Sequence, residues 1–272
     1  MDDFWDDTWM SGNLDLSYED MKVFWERRSF KVNESFVRHE RMQIYTYPKS
    51  QLLDSYGHLH YVIDGTKSVA FIKTWIRDKN IREYNNIQMY PPPLICPPDH
   101  YNTWTDFDIE ATSKTYTNEL SASDLESKDA YLDHIRILFP HAFDYIVNMF
   151  AQIFQQPSQK IGIALVIKGA EGAGKNRLLD LIKSMMGITK YFETSRPQHD
   201  VYGKFTNSLL DKVLVIINSD NLYTNETLVD MITSKTFMWK AKRRDSKTMP
   251  SYCRVVFTMN ETAASEFDAS DR

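Results

Sequence analysis

The spacing of hydrophobic residues changes character near Pro157. Before that point apolar side chains recur at helical intervals, and the clearest run extends from about Asp129 to Gln155. Pro140 lies inside this run and should kink or divide the helix, because proline lacks the backbone donor that a helix interior needs. We therefore predict a mainly helical domain over residues 21–157. The apolar stripe, which we interpret as core packing, comprises Leu132, Ile135, Phe139, Phe143, Ile146, Phe150 and Phe154.

After Pro157 short runs of β-branched residues alternate with helical stretches. The predicted buried strands are Ile163–Ile167, Val213–Ile217 and Arg254–Thr258, and the predicted helices cover residues 175–187 and 225–234. Continuous apolar strands that alternate with helices are typical of a parallel sheet covered on both faces. Residues 158–272 are thus predicted to form an α/β domain.

Two segments of the first half lack this helical spacing of apolar residues. Residues 1–20 are acidic with scattered aromatic side chains, which is typical of a poorly ordered or partner-dependent arm, or equally of a solvated tail. The five prolines of Tyr90–Pro98 exclude a helix or a central strand and predict a stiff extended connector.

Composition narrows the class of protein. The 272 residues are 42% hydrophobic, which is enough for a buried core, and the net charge of −5 requires any nucleic-acid contact to be a local basic patch. Cys96 and Cys253 are the only cysteines, so no disulfide framework or paired-cysteine metal site is expected. No apolar run reaches the ~20 residues of a membrane helix, and the acidic start is unlike a signal peptide. We expect an intracellular protein without a membrane partner.

A glycine-rich loop follows the first predicted strand. Gly169–Asn176 has the pattern G-x-x-x-x-G-K between a strand and a helix, where glycines let backbone N–H groups approach phosphate oxygens. Lys175 would reach the β- and γ-phosphates of ATP. Asn176 stands where a Ser or Thr usually contacts Mg²⁺, which weakens the metal prediction more than the nucleotide prediction. The predicted ATP-binding residues are Gly169, Ala170, Glu171, Gly172, Ala173, Gly174, Lys175, Asn176 and Arg177.

Polar side chains end the second and third predicted strands. The second strand leads into Asn218, Ser219 and Asp220, where an acidic pair would be expected for positioning Mg²⁺ and the attacking water. Asp220 could serve as the ligand if the strand end is bulged; alternatively the site binds nucleotide and hydrolyses it poorly. Asn260 ends the third strand and could orient the water. The predicted metal ligands are Asn176, Asn218 and Asp220, with Mg²⁺ and ATP as cofactors.

A basic segment lies between these strands. Five of the eight residues from Lys240 to Lys247 are basic, and the texture around Arg244-Asp245-Ser246 predicts a hairpin. Such a hairpin could hold single-stranded DNA by charge and by stacking on Trp239, or it could be an ordinary solvated edge. The predicted DNA-binding residues are Trp239, Lys240, Lys242, Arg243, Arg244 and Lys247.

Taken in order, these motifs resemble the superfamily 3 helicases that are joined to primases in large DNA viruses and phages. The resemblance covers about residues 65–272. Besides the phosphate loop and the hairpin, its motifs are Phe71–Asp78, the proline-rich segment, Tyr101–Trp104, Ala151–Pro157, Val201–Asn207, Asn260 and Ser270–Arg272.

The resemblance implies an AAA+-like P-loop NTPase that forms a hexameric ring, preceded by the helical domain. Arg272 would act as an arginine finger on a neighbour's ATP, and Lys175, Asp220 and Asn260 would complete the catalytic set. It implies an ATP-driven DNA helicase that associates with a primase and other replication proteins. The location would be an infected host cell if the protein is viral and the cytoplasm otherwise. The family domain continues past its arginine finger, so a final strand would lie beyond Arg272.

The motifs leave two other functions open. The atypical Asn218-Ser219 pair is compatible with a nucleotide-binding scaffold or loader that has lost hydrolysis. A small-molecule P-loop kinase is the third alternative, and it would have no need of the basic hairpin.

Overall fold

The computed structural model describes residues 7–11, 16–40, 44–113, 121–204, 206–220, 226–239 and 247–260. These residues form two compact units. The N-terminal unit contains the described residues up to Gln88 together with 96–102, and the C-terminal unit contains 89–95 and the described residues from Thr103 onward.

The N-terminal unit is built from small sheets and short helices. Its elements are a 3-10 turn Thr8–Ser11, α1 Tyr18–Glu26, β1 Ser29–Val32, β2 Ser35–His39, β3 Ile44–Tyr47, α2 Lys49–Tyr56, β4 His60–Ile63, β5 Lys67–Ala70, α3 Phe71–Trp75, β6 Glu83–Tyr84, β7 Asn86–Gln88 and β8 His100–Asn102. The main sheet has the order β3-β2-β1-β6, while β4 with β5 and β7 with β8 form separate pairs.

An aromatic cluster forms the centre of this unit. Trp25, Phe71 and Trp75 are fully buried, and Trp25 meets both of the others edge to face. Trp9 is 6% exposed and stacks on Phe24, so the described residues 7–11 are anchored in the core. The prediction of a poorly ordered arm is therefore wrong for these residues.

The predicted mainly helical domain over 21–157 is also corrected. The described residues between 29 and 102 contain eight strands, and the unit boundary lies at Thr103 rather than near Pro157. These strands are two to five residues long, which is too short for an alternating pattern to stand out from a helical one. The proline-rich residues 90–98 contain neither helix nor strand, as predicted.

The C-terminal unit is an α/β arrangement. Its elements are α4 Asp108–Ser113, α5 Ala122–Leu138, α6 Phe143–Gln155, β9 Ala164–Gly169, α7 Lys175–Met186, β10 Tyr191–Thr194, α8 Pro197–Asp200, a 3-10 turn Asn207–Leu209, β11 Leu214–Asn218, α9 Glu226–Thr233, β12 Thr236–Trp239, β13 Lys247–Pro250 and β14 Arg254–Asn260. The three predicted strands and the two predicted helices are confirmed, and the long predicted helix is divided around Pro140.

The four-stranded sheet of this unit is parallel, with the order β10-β11-β14-β9. Successive residues of each strand point to opposite faces. Leu214 and Ile216 therefore join the cluster formed with α6 and α7, whereas Val215 and Ile217 join the cluster formed with α9 and β12. Both faces are covered, which explains why β11 and β14 are continuous apolar runs.

Arg254 connects the start of β14 to the segment that follows α6. Its side chain is 1% exposed, and its Nη1 and Nη2 atoms donate to the carbonyl oxygens of Gln156, Pro157 and Gln159 at 2.9, 3.0 and 2.5 Å. Nη2 also donates to Gln152 Oε1 at 3.1 Å. Burial lowers the pKa of Arg254 to about 10, which still leaves the guanidinium charged at neutral pH. One buried cation thus donates to backbone carbonyl groups of the segment that follows α6.

No helix among the described residues has both the length and the apolar character needed to cross a membrane.

Candidate nucleotide site

A cavity of about 460 Å³ opens where the parallel strands end. The carboxyl ends of β9, β14 and β11 reach the same edge of the sheet because the strands are parallel neighbours. The cavity is lined by Glu171, Gly172, Ala173, Gly174, Lys175, Asn176, Arg177, Asp180, Asn218, Ser219, Asp220, Thr258, Met259 and Asn260. Its volume lies within the range of about 300–1,000 Å³ that is common for small-ligand sites.

The glycine-rich loop connects β9 to α7. Gly172 and Gly174 have φ angles of +78° and +92°, a region that residues with a side chain rarely adopt. Gly174 is the N-cap of α7, so the positive end of that helix points at the cavity. Lys175 Nζ donates to the carbonyl oxygens of Gly169 at 2.7 Å and Ala170 at 2.8 Å. Seven of the nine predicted ATP-binding residues line the cavity. The other two, Gly169 and Ala170, adjoin it through their contacts with Lys175.

Asp220 and Asn260 are brought together at the tips of β11 and β14. The backbone N–H of Asn260 donates to Asp220 Oδ1 at 2.8 Å, and Asn260 Nδ2 donates to Asp220 Oδ2 at 3.0 Å. Each carboxylate oxygen keeps a further lone pair. The carboxylate is solvent-exposed, so it can accept another ligand within the cavity.

The sheet ladder continues beyond the last residue of β11. The N–H of Ser219 donates to the carbonyl oxygen of Thr258 at 3.1 Å, and the hydroxyl of Thr258 donates to Asn218 Oδ1. The backbone is therefore held on both sides of Asn218, and the position of Asp220 depends on this extended pairing as well as on Asn260.

The set of donors fits a nucleotide-bound Mg²⁺ better than an independent metal ion. Asn176, Asn218 and Asp220 line one cavity, but they supply a single carboxylate. Within the described part of the chain, no group of three or more His, Cys, Asp and Glu side chains is placed to hold a metal. Mg²⁺ is commonly held by one or two carboxylates together with substrate phosphates and water, so these residues could hold it when phosphates contribute.

Sequence reasoning missed two side chains next to this site. His134 on α5 has its Nε2 atom 3.2 Å from the carbonyl oxygen of Gly174. Because a carbonyl oxygen only accepts, Nε2 must carry the proton. Glu193 on β10 accepts from Asn218 Nδ2 at 2.8 Å. His134 lies next to the apolar stripe of a predicted helix, and nothing in its local sequence distinguishes it from an ordinary helix residue. The strand β10 was not predicted because it has four residues and Glu193 interrupts its apolar pattern.

The predicted DNA-binding residues are only partly described. β12 and β13 pair antiparallel, which confirms the hairpin, and Lys247 pairs with Trp239. Trp239 is 7% exposed and packs on Phe237 at a ring distance of 5.0 Å, so the expectation that it stacks on a base is wrong for this position. The other predicted contacts, together with the proposed arginine finger, lie outside the described residues: Lys240, Lys242, Arg243, Arg244 and Arg272.

Comparison with known proteins identifies relatives from a phage. Residues 167–272 match the model of a family of unknown function, DUF5906. The chain is 24% identical over 152 residues to the DNA primase-polymerase of Nitratiruptor phage NrS-1, an alignment that covers 51% of this chain and 21% of that protein. The chain is thus homologous to about a fifth of that curated relative.

Solved structures of the NrS-1 C-terminal region have the same fold. The apo structure aligns with a TM-score of 0.64 at 17% identity, covering 90% of this chain and 56% of that one. An A-form apo structure of this region aligns with a TM-score of 0.63 at 18% identity and the same coverage. The agreement extends over most of this chain and therefore includes strands from both units.

Proposed function

We propose that this chain is the ATP-dependent translocase module of a DNA replication protein, with the P-loop NTPase fold of the superfamily 3, AAA+-like helicases. One observation carries the proposal. The phosphate loop and the Asp220–Asn260 pair line a single cavity at the carboxyl edge of a parallel sheet. This arrangement brings an anion-binding loop, an ammonium group and a carboxylate to one place.

Different residues of the cavity have different roles in the proposed ATP hydrolysis. The loop amides and Lys175 bind phosphate oxygens, and Asp220 with Asn260 holds the attacking water. Asn176, Asn218 and Asp220 would hold Mg²⁺, which supplies charge neutralisation on the phosphates when it is bound. Arg272 and a hexameric ring belong to the same proposal through the resemblance.

The link to replication rests on the NrS-1 relative, whose name identifies it as a DNA primase-polymerase. A translocase next to such an enzyme would separate or feed the template strand. Single-stranded DNA is accordingly the proposed polymer, with the basic residues between β12 and β13 as its contact and a primase among the proposed partners.

A second function is favoured by one specific observation. Asn218 supplies a neutral amide and Ser219 a hydroxyl where two carboxylates would be expected. The alternative is therefore a scaffold or loader that binds ATP without turning it over.

The deciding experiment is steady-state ATP hydrolysis by the full chain, with and without single-stranded DNA. For a translocase we expect turnover that DNA stimulates and that Lys175→Ala abolishes, while the exposed control Lys67→Ala behaves like wild type. Thermal unfolding with ATP at about 100 times its Kd should show stabilisation of about 2.7 kcal/mol in wild type, absent in Lys175→Ala.

The outcomes separate the candidate functions. ATP stabilisation without turnover would favour the scaffold, and turnover that is insensitive to DNA would favour a small-molecule enzyme. If Lys175→Ala retained full ATP-dependent stabilisation, the phosphate-loop assignment itself would be wrong.

A further inference from the structure

The amide of Asn218 lies between a hydroxyl and a carboxylate. Its Oδ1 accepts from the Thr258 hydroxyl, and its Nδ2 donates to Glu193 Oε1 at 2.8 Å. Asn218 lines the cavity. Glu193 lies on the neighbouring strand β10 and contacts Asn218 from there. The chain therefore places a carboxylate directly behind the position where β11 lacks one.

Glu193 decides which way this amide faces. The oxygen and nitrogen of an asparagine side chain have nearly the same shape, so hydrogen-bond partners determine its orientation. A hydroxyl can donate or accept and does not discriminate between the two, whereas an ionised carboxylate only accepts. Glu193 thus requires the nitrogen on its own side and leaves Oδ1 on the side of Thr258.

The second oxygen of Glu193 is held as well. Lys183 Nζ donates to Glu193 Oε2 at 2.8 Å and pairs with Asp180 at 2.9 Å. Burial alone would lower the pKa of Lys183, but the hydrogen bonds that Lys183 donates to Asp180 and Glu193 outweigh burial and raise the pKa. A protonated Lys183 is a donor at neutral pH, so both oxygens of Glu193 must accept. A glutamine could not satisfy both partners, since it has a single acceptor oxygen.

We infer that Glu193 is a positioning residue that presents the Asn218 carbonyl oxygen as a ligand for nucleotide-bound Mg²⁺. The inference rests on the proposed function, because it assumes that the cavity binds Mg²⁺ with ATP. In place of a carboxylate on β11, the site has a neutral oxygen held in orientation by a carboxylate on β10. Partners behind a metal ligand commonly change metal affinity or activity by about 10–100-fold when they are mutated.

The orientation of the amide can be tested without any ligand. In protein labelled with ¹⁵N-asparagine, the side-chain signal of Asn218 is assigned by its loss in Asn218→Asp. We expect that signal to be shifted and slow to exchange in wild type. It should move to an ordinary position and exchange faster in Glu193→Gln, where Lys183 competes for the single acceptor oxygen. A signal that is already ordinary in wild type would overturn the inference.

The functional part is tested by the Mg²⁺ concentration that gives half-maximal ATP-dependent thermal stabilisation. Glu193→Gln should raise it by at least about tenfold, with ATP binding in the presence of EDTA unchanged. Asn218→Asp alone should also raise this Mg²⁺ concentration, because it places two carboxylates side by side. The double variant exchanges the two groups: the introduced glutamine accepts from Lys183 and donates to the introduced aspartate.

The exchange separates a positioning role from a purely structural one. We expect the double variant to recover the wild-type Mg²⁺ requirement or to lower it. If the amide signal responds to Glu193→Gln but the Mg²⁺ requirement does not, the role toward the metal is overturned. If wild type shows no ATP-dependent stabilisation, the proposed function fails and the metal role with it, whereas the amide measurement still decides the contact between Glu193 and Asn218.

Discussion

Gly174 carries two separate constraints, one on its backbone and one on the space around it. Its φ is +92°, and a Cβ atom there would lie 2.5 Å from His134 Cε1 and 2.9 Å from Nε2. Gly172 has a comparable φ of +78°, but a Cβ atom there would meet nothing within 4 Å. The two glycines therefore allow the cost of the backbone to be measured apart from the cost of crowding.

Gly172→Ala should lower the free energy of unfolding by about 1–2 kcal/mol, the usual cost of a left-handed conformation for a residue with a side chain. Gly174→Ala should lower it further, because the His134 ring must leave and its bond to the Gly174 carbonyl oxygen is lost. Urea unfolding of both variants measures the difference.

Adding His134→Ala to each glycine variant supplies the control. It should relieve the crowding in Gly174→Ala at no further cost, because the bond to His134 is already lost there, and it should add its full cost in Gly172→Ala, so that the effects are additive only at Gly172. Equal losses for the two glycine variants would mean that the ring moves away freely and does not brace the loop.

At the scale of single residues, the sequence predicts those whose role follows from their position next to a strand or helix along the chain. The phosphate loop follows from its spacing between a strand and a helix, and Asp220 and Asn260 follow from their places after buried strands. Trp239 was misjudged because the sequence does not show which face of a hairpin strand is buried. His134 and Glu193 make contacts with residues that lie 40 and 25 positions away in the sequence. Local sequence patterns do not predict contacts over such separations.

Arg254 stabilises two elements at once, the end of α6 and the beginning of β14. From the start of β14 its donors reach the carbonyl oxygens of Gln156, Pro157 and Gln159. Two of these oxygens also accept from their own segment, Gln156 from the Gln159 N–H and Gln159 from Gln152 Nε2. An unpaired buried carbonyl costs about 1–3 kcal/mol. The packing of α6 on the sheet thus depends on a polar contact as well as on its apolar face.

We expect Arg254→Ala to lower the free energy of unfolding by at least about 3 kcal/mol, since five hydrogen bonds of one buried guanidinium are lost together. Arg136→Ala is the control: its side chain is 54% exposed and pairs with Asp133 at the surface, so its loss should stay within about 1 kcal/mol. Similar effects of the two substitutions in urea unfolding would show that water replaces the guanidinium at little cost.

Element prediction succeeded where apolar runs were long and failed where strands were short. β11 and β14 are covered on both faces, so each is a continuous apolar run that local sequence reveals. The strands of the N-terminal unit have two to five residues and depend on the aromatic cluster around Trp25 and Trp75. Tertiary packing, rather than local propensity, determines their conformation.

For the whole molecule, the net charge of −5 makes nonspecific attraction to DNA unfavourable. The DNA binding that the proposed function requires would therefore come from a local patch, and the densest one in the sequence is the basic segment between β12 and β13. Its contribution can be measured through the salt dependence of binding, because each neutralised phosphate releases a fraction of a counterion.

Replacing Lys240, Lys242, Arg243 and Arg244 by alanine should weaken DNA binding and flatten the plot of log K against log salt by about 3, that is, about 0.7 for each of the four charges. The matched control removes the same charge from exposed lysines of the N-terminal unit, Lys49, Lys67, Lys73 and Lys79. An equal change of slope in the two variants would assign the effect to overall charge instead of to a site.

The strand order also affects how the protein is made. β14 lies between β9 and β11 but follows both of them along the chain, and among the described strands β9 pairs with β14 alone. At roughly 5–20 residues per second, the ribosome needs about 5–20 s to pass from the end of β9 to the end of β14. Throughout that interval the nascent chain displays an unpaired apolar edge, and the strand that carries the phosphate loop has no neighbour. The nucleotide site thus cannot form until β14 has been made, and a pause in translation between these strands would prolong its exposure to misfolding.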